Sequence, residues 1–128
     1  MANKTRLIKL LQQLIRINSE NPPGNESQIA YFVKEYLDDL GLRCRIYEFK
    51  KNRSNIIAYL NAAKSNRSLL ITPHLDTVPS GNNWNINPFS AKIANGKIYG
   101  LGATDCKVNI AASLEAIKSI VEQKIKLS

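Results

Sequence analysis

The feature that most constrains this chain is a short apolar run, residues 69–72, that leads directly into the only histidine, His74. A continuous apolar run of this length is typical of a strand buried on both faces of a helix-covered sheet. A polar, turn-rich loop follows it. We therefore expect residues 69–72 to form an interior strand with His74 at its carboxyl end, where open α/β sheets place their chemistry.

Helix-like and strand-like patterns surround this run. Apolar residues recur at helical spacing over residues 5–18, 26–40 and 105–123, which predicts three helices. The period changes to two over residues 43–60, which predicts a hairpin, and a short strand signal lies at residues 97–100. This order of elements predicts an α/β fold in which helices are layered on a sheet.

One strand is missing from the pattern. The third helix should cross back over the sheet and deliver a strand beside residues 69–72. The sequence reaches Ser128 without such a strand pattern. We therefore expect an incomplete sheet that exposes apolar side chains and unpaired backbone groups, and a chain that aggregates or associates with a partner.

Composition limits the classes of partner. The net charge is +8, and the basic residues are densest over residues 43–67, where Glu48 is the only acid. No RNP motif, zinc-finger spacing or helix-turn-helix signature accompanies them, so a solvated basic surface is favoured over nucleic-acid binding. No apolar run approaches the roughly 20 residues of a membrane-spanning helix. We expect neither a nucleic acid nor a membrane as partner.

Length and cysteine content indicate one cytoplasmic domain. A chain of 128 residues is typical of a single domain. The amino terminus has no signal-peptide pattern, and Cys44 and Cys106 lie far apart and form no CxxC pair. Reduced thiols in the cytoplasm are the simplest interpretation, although a disulfide stays open.

His74 and Asp76 are the first candidates for chemistry. They lie two positions apart, so in an extended segment both side chains project to the same side. Asp76 can then accept a hydrogen bond from one imidazole nitrogen and leave the other nitrogen for a metal. The alternative is a histidine in a satisfied turn beside an ordinary loop acid.

Asp105 is the next candidate, since it follows a turn-rich segment and stands where the third helix is predicted to begin. As a carboxylate it can bridge two cations, as two-metal hydrolases require. It can equally be a helix N-cap, unless Thr104 takes that place and frees it. Cys106 is either a soft metal ligand or a small buried residue.

At these residues the chain resembles the zinc amidohydrolases and metallopeptidases that include acetylornithine deacetylase, succinyl-diaminopimelate desuccinylase and carboxypeptidase G. The resemblance covers nearly all of the chain, and the motifs that carry it are H-L-D-T-V-P, W-x-x-x-P-F and G-K-I-Y-G-x-G-A-x-D followed by lysine. It implies that His74 binds one zinc, that Asp76 orients His74 in the catalytic site, and that Asp105 bridges two zincs.

The chain also departs from the family pattern. Pro73 stands where glycine often precedes the histidine, Cys106 replaces a methionine, and residues 108–109 replace a Gly-Gly pair. The family's glutamate pair, a further acidic ligand, a second histidine and the dimerisation domain come later in the chain. None of them has a counterpart here.

The resemblance implies a fold and a function. The expected fold is the N-terminal part of a three-layer αβα zinc-hydrolase catalytic domain with a mixed sheet, over residues 1–128, without the dimerisation domain and the C-terminal half. The expected activity is hydrolysis of the amide of N-acyl amino acids or small peptides, with two zincs per complete site and cobalt as a substitute. A separate chain is expected to supply the missing half. The alternative is a non-catalytic remnant or interaction module.

The isolated chain is expected to lack this activity. A zinc site usually needs three or four protein ligands, and the chain offers His74 and Asp105, with Cys106 as a third option. Glu115 and Glu122 are the only acids after Asp105. A helical rise of ~1.5 Å per residue places them roughly 15 and 25 Å along the third helix, too far to act as the general base.

Overall fold

A computed structural model describes residues 2–61 and 67–127. In these residues three helices and two hairpins follow one another, and no helix is long and apolar enough to cross a membrane. The elements are α1 (Lys4–Arg16), α2 (Ser27–Asp38), β1 (Arg43–Lys50), β2 (Arg53–Tyr59), β3 (Lys92–Ala94), β4 (Lys97–Tyr99) and α3 (Val108–Glu122).

The first two helices confirm the helical spacing of their apolar residues. Helix α1 begins after Asn3, whose side-chain oxygen accepts a hydrogen bond from the Arg6 amide at 3.0 Å. Such a cap satisfies an amide that the first helical turn leaves without a partner. Helix α2 is followed by Gly41, whose φ of 78° lies in the left-handed region that glycine adopts without strain.

The predicted hairpin is also confirmed. Strands β1 and β2 pair antiparallel, with Cys44 opposite Ala58 and Tyr47 opposite Asn55. Side chains alternate across it because successive residues of a strand point to opposite faces. Cys44 and Ala58 pack against the helices, while Tyr47 and Tyr59 on the other face are exposed.

All three helices share one hydrophobic core on the inner face of this hairpin. Leu14 and Ile15 of α1, Ile29 of α2 and Ala111 of α3 are fully buried in it. Burying a side chain the size of leucine contributes about 1.5–3 kcal/mol. The described helices therefore cover one face of the sheet and leave its other face to solvent.

The predicted interior strand at residues 69–72 is wrong. The segment forms no strand and has no strand partner in the described part of the chain. Leu69, Leu70 and Ile71 are 85%, 83% and 55% exposed. An extended apolar segment becomes a strand only when a neighbouring backbone pairs with it, and neither hairpin does so. The expected exposure of apolar side chains at an incomplete sheet is confirmed at these three residues.

The third helix begins later than the sequence predicts. Helix α3 starts at Val108, whereas the prediction placed its start at Asp105. A wide turn over Ala103–Lys107 precedes it, in which Asp105 has φ −121° and ψ 95°. The turn is closed by the Lys107 amide, which donates to the Gly102 carbonyl at 2.9 Å. Because this bond spans the turn, Asp105 lies outside the helix.

An ion-pair network joins α1 to α3. Arg6 donates to both carboxylate oxygens of Glu115, at 2.6 and 2.8 Å, and to Glu122 at 2.9 Å. The Asn3 amide adds a third hydrogen bond to Glu115, at 2.6 Å. Glu115 is 1% exposed, so its charge depends on these partners. The hydrogen bonds from Arg6 lower the pKa of Glu115 to about 2.

This lowered pKa predicts acid sensitivity of the fold. A carboxyl whose pKa falls on folding contributes stability above its unfolded pKa and loses that contribution as the pH falls toward its folded pKa. From pH 5 to pH 2, the free energy of unfolding should therefore fall more steeply for the wild type than for Glu115→Gln. Urea denaturation at each pH measures this. The exposed Glu35→Gln should keep the wild-type slope, and equal slopes in all three proteins would contradict the prediction.

Candidate metal centre

Three side chains meet at one corner of the molecule. His74 Nδ1 lies 3.0 Å from the Asp76 carbonyl oxygen and 3.1 Å from its Oδ1. His74 Nε2 lies 2.9 Å from Asp105 Oδ1, across 31 positions of sequence. The imidazole is therefore held between two carboxylates, one from its own segment and one from the turn before α3.

These contacts set the protonation of the site. The hydrogen bond to Asp105, followed by the contacts with Asp76, raises the pKa of His74 above its ordinary value. The pKa of Asp76 is lowered, chiefly by a hydrogen bond from the Asn21 side chain and further by the charge of His74. Asp76 is therefore a carboxylate at neutral pH and a ready acceptor for the Nδ1 proton.

The structure brings together all three of the side chains that the sequence singled out. Asp76 contacts one ring nitrogen of His74, as its spacing predicts. The N-cap alternatives for Asp105 and Thr104 are wrong, because α3 begins at Val108 and no side chain caps it. Asp105 is exposed and its carboxylate faces His74. Its role as a metal ligand remains a prediction.

The donor set fits one edge of a metal site. Ligand atoms of His74, Asp105 and Cys106 lie within 4.8 Å of one another. Two ligands at ~2.0–2.1 Å from a tetrahedral zinc stand about 3.3 Å apart. The 2.9 Å between His74 Nε2 and Asp105 Oδ1 would need to open by only a few tenths of an ångström.

Cys106 fits such a site poorly. Its thiol is 6% exposed and donates to the His74 carbonyl at 3.3 Å. Burial raises the pKa of this thiol above its ordinary value. A metal binds the thiolate form, so the structure favours the small buried residue over the soft ligand.

Two residues at the site have no sequence signal of their own. The Asn21 side-chain amide donates to Asp76 Oδ2 at 2.9 Å. Lys107 is fully buried, and its ammonium donates to the Ile17 carbonyl at 2.7 Å. Burial lowers the pKa of Lys107 to about 8. Lys107 is the lysine that follows the G-K-I-Y-G-x-G-A-x-D motif, which was the one available pointer to it, whereas Asn21 lies outside the three motifs.

An open cleft of ≈ 660 Å³ adjoins the three side chains, with Trp84, Tyr99 and Gly102 on its other walls. Trp84 is held in its loop by a hydrogen bond from its indole nitrogen to the Ser80 carbonyl, at 2.9 Å. It is 36% exposed, so part of the ring is open to the cleft. A volume of this order is typical of small-molecule sites.

The residues around His74 match a known protein family. Residues 70–128, which include His74, Asp76 and Asp105, match the peptidase family M20/M25/M40. The matched stretch is slightly less than half of the chain. It confirms the expected resemblance to zinc amidohydrolases and metallopeptidases, and the metallohydrolases of this family use a divalent metal.

Individual M20 relatives match almost the whole chain. A deformylase of N-formyl-4-amino-5-aminomethyl-2-methylpyrimidine from Halalkalibacterium halodurans is 31% identical over 98% of this chain and 30% of its own length. A succinyl-diaminopimelate desuccinylase from Pelagibacter ubique is 34% identical over 94% of this chain and 32% of its own length. The chain therefore spans about a third of the length of these relatives.

The fold agrees with the family. The crystal structure of an M20 family metallo-carboxypeptidase from Sulfolobus solfataricus superposes with a TM-score of 0.83 and 29% identity, over 92% of this chain and 28% of that protein. The chain thus has the α/β fold of the N-terminal part of an M20 catalytic domain, with the helices of one layer and part of the sheet.

Gly102 is predicted to set the geometry of the Asp105 turn. Its φ is 74°, and a Cβ added there would lie 2.6 Å from Thr77 Cγ2. Gly96 has a similar φ of 70° and nothing within 4 Å, so Gly96→Ala is a matched control. The left-handed conformation costs about 1–2 kcal/mol in either variant. Gly102→Ala should lose more because of the steric clash.

Urea denaturation and the ring ¹⁵N chemical shifts of His74 test this. We expect Gly102→Ala to be less stable than Gly96→Ala and to change the His74 shifts, while Gly96→Ala leaves them unchanged. Equal losses of stability with unchanged shifts in both variants would show that the close approach at Gly102 has no role.

Proposed function

We propose that this chain supplies one half of the active site of a zinc-dependent amidohydrolase. The observation that supports this most directly is the contact of His74 with Asp105 at 2.9 Å, backed by Asp76 on the other ring nitrogen. The metal-dependent hydrolase class follows from the family. Zinc, and cobalt as a substitute, are our proposal, because imidazole with carboxylate is a donor set that suits zinc.

In this proposal each side chain has a separate task. His74, through Nε2, and Asp105, through its carboxylate, would hold the metal, and Asp105 would also serve a second metal. Asp76 accepts the Nδ1 proton and so keeps Nε2 directed at the metal. A bound divalent metal polarises the amide carbonyl and acidifies its water.

The proposed substrates are N-acyl amino acids or small peptides. The relatives are named as a deformylase, a desuccinylase and a carboxypeptidase, so each name denotes removal of an acyl group or of a terminal amino acid. The ≈ 660 Å³ cleft beside His74 is of a size to take such a molecule. We propose that the enzyme works in the cytoplasm, where free thiols such as Cys44 and Cys106 persist.

The other half of the site is proposed to come from further polypeptide, either continuous with this one or a separate chain. The described residues offer two well-placed ligands, where a zinc site needs three or four. They also place no carboxylate other than Asp76 and Asp105 in contact with His74. Glu115, on α3, is occupied by Arg6 and is therefore not available as a general base.

The proposed docking place is a second cleft, of ≈ 620 Å³, between β2 and residues 70–72. Its walls are the edge of β2 opposite β1, which has no partner among the described strands, and the backbone of residues 70–72; its floor includes Leu37 and Leu114. Two unpaired edges that face one another across an apolar floor favour an extended strand as the occupant, because its backbone can pair on both sides.

This cleft predicts that the isolated chain associates with itself. Leu70, 83% exposed, lies at the cleft, so Leu70→Lys should shift the chain toward the monomer in sedimentation velocity. Ile93→Lys is the matched control, since Ile93 is a half-exposed aliphatic residue of β3 outside the cleft. A wild-type chain that is monomeric at all concentrations, with cooperative thermal unfolding, would contradict the prediction.

The same proposal predicts that the isolated chain has no measurable amidase activity. A positioned base contributes roughly 10²–10⁴-fold to such a reaction, and the ligand set is incomplete. The assay uses N-acetylornithine and N-succinyl-diaminopimelate with added zinc or cobalt. Turnover that disappears in His74→Ala and in Asp105→Ala would contradict this prediction and show that the chain completes its own site.

A non-catalytic interaction module is the second candidate. The protonated, buried thiol of Cys106 and the two-ligand set favour it. Metal binding separates the two functions. A half-site binds zinc weakly, and the binding is lost in His74→Ala. A module that retains only the fold binds no zinc at millimolar concentration.

A further inference from the structure

Two separate segments carry the candidate metal centre, and a third segment holds both of them. Residues 74–77 provide His74 and Asp76, and residues 102–107 provide Asp105. Residues 17–21, which follow α1, contact both segments and contribute no ligand. We call residues 17–21 the site clamp.

The site clamp grips the first segment through its backbone and one side chain. The Thr77 amide donates to the Ser19 carbonyl at 3.0 Å, and the Asn21 amide donates to the Thr77 carbonyl at 2.8 Å. The Asn21 side-chain amide donates to Asp76 Oδ2 at 2.9 Å. This bond occupies one oxygen of Asp76 and leaves Oδ1 directed at His74 Nδ1, 3.1 Å away.

The site clamp grips the second segment through Lys107. The Lys107 ammonium donates to the Ile17 carbonyl at 2.7 Å. Ile17 follows the last turn of α1, where carbonyl groups lack helical partners and carry the negative end of the helix dipole. No carboxylate of the described residues lies within 4.0 Å of this ammonium, so its polar contact is with the site clamp.

The contacts of the site clamp with Thr77 and with Lys107 lie close together. A Cβ at Gly102 would stand 2.6 Å from Thr77 Cγ2 and 3.3 Å from Lys107 Cδ. The side chains of Thr77 and Lys107 therefore pack against the same point of the Asp105 turn. Lys107 is fully buried, so a shift of the turn would separate its charge from the Ile17 carbonyl. A buried charge without a hydrogen-bond partner is costly, and this cost opposes movement of the turn.

We infer that Asn21 and Lys107 are positioning residues of the metal centre. They fix the relative placement of His74 and Asp105 through the site clamp, and neither contacts the metal. The inference rests on the proposed function for the role of the metal. Residues that orient metal ligands typically change metal affinity 10–100-fold when they are replaced.

The test compares two variants with two matched controls in the full 128-residue chain. Asn21→Leu removes the amide that holds Asp76, and Lys107→Met removes the ammonium but keeps an apolar stem. Asn25→Leu removes a side-chain amide of the same loop that donates to the Asn18 carbonyl at 3.4 Å. Lys97→Met removes an exposed lysine of β4.

Three measurements are made on each protein, in the Leu70→Lys background so that self-association is reduced equally. They are the far-ultraviolet circular dichroism, the zinc dissociation constant by calorimetry, and the ring ¹⁵N shifts of His74 without metal. His74 is the only histidine, so its ring signals need no assignment. Circular dichroism shows whether a variant is still folded, so a displaced His74 can be told apart from an unfolded chain.

We expect Asn21→Leu and Lys107→Met to stay folded, to bind zinc at least 10-fold more weakly and to change the His74 shifts. The controls should match the parent chain. Folded variants with parental zinc affinity and parental shifts would overturn the inference. If the parent chain binds no zinc, the proposed function fails, and the metal-free shifts still decide whether the clamp positions His74. If Lys107→Met unfolds, the comparison of Asn21→Leu with Asn25→Leu gives the same decision.

Discussion

The arrangement of this molecule depends on one imidazole held between two carboxylates. His74 contacts Asp76 in its own segment and Asp105 from a turn 31 positions later. Neither contact is local to a helix or strand, so both require that the loops around them be fixed by packing. The core shared by α1, α2 and α3 provides that packing, and the Arg6–Glu115 pair ties the start of α1 to the middle of α3.

Some of this was predictable from the sequence because it depends on local patterns. Apolar spacing predicts α1 and α2, and the change of period predicts the first hairpin. The strand predicted at residues 69–72 is wrong because a strand also needs a partner, and no local signal reports whether one is present. The start of α3 is wrong for a related reason. The hydrogen bond from the Lys107 amide to the Gly102 carbonyl closes a turn before α3. The sequence of this turn has the same pattern as the first turn of a helix, so the pattern places the helix start too early.

The candidate site was predictable in part. The spacing of His74 and Asp76 predicts their contact, whereas the approach of Asp105 rests on the family resemblance, since a separation of 31 positions carries no geometric information. Lys107 and Asn21 were missed because a buried lysine that bonds to a backbone carbonyl, and an amide in a loop, have no pattern that separates them from surface residues.

The half-covered sheet and the half-built site are consistent with one another. The described helices cover one face of the hairpin, and the tyrosines of its other face and residues 69–71 are exposed. The M20 relatives are about three times as long as the part this chain matches. These observations fit the proposal that further polypeptide completes the site that His74 and Asp105 begin.

X-ray absorption at the zinc edge of the zinc-loaded chain tests the central claim most directly, because zinc–sulfur and zinc–nitrogen or oxygen distances differ, at ~2.3 Å and ~2.0–2.1 Å. The account predicts a shell of nitrogen and oxygen with one imidazole, from His74, and no sulfur. The imidazole signal should vanish in His74→Ala. A sulfur ligand from Cys106, or a zinc shell without imidazole, would contradict the claim that His74 and Asp105 form the metal-binding edge of this domain.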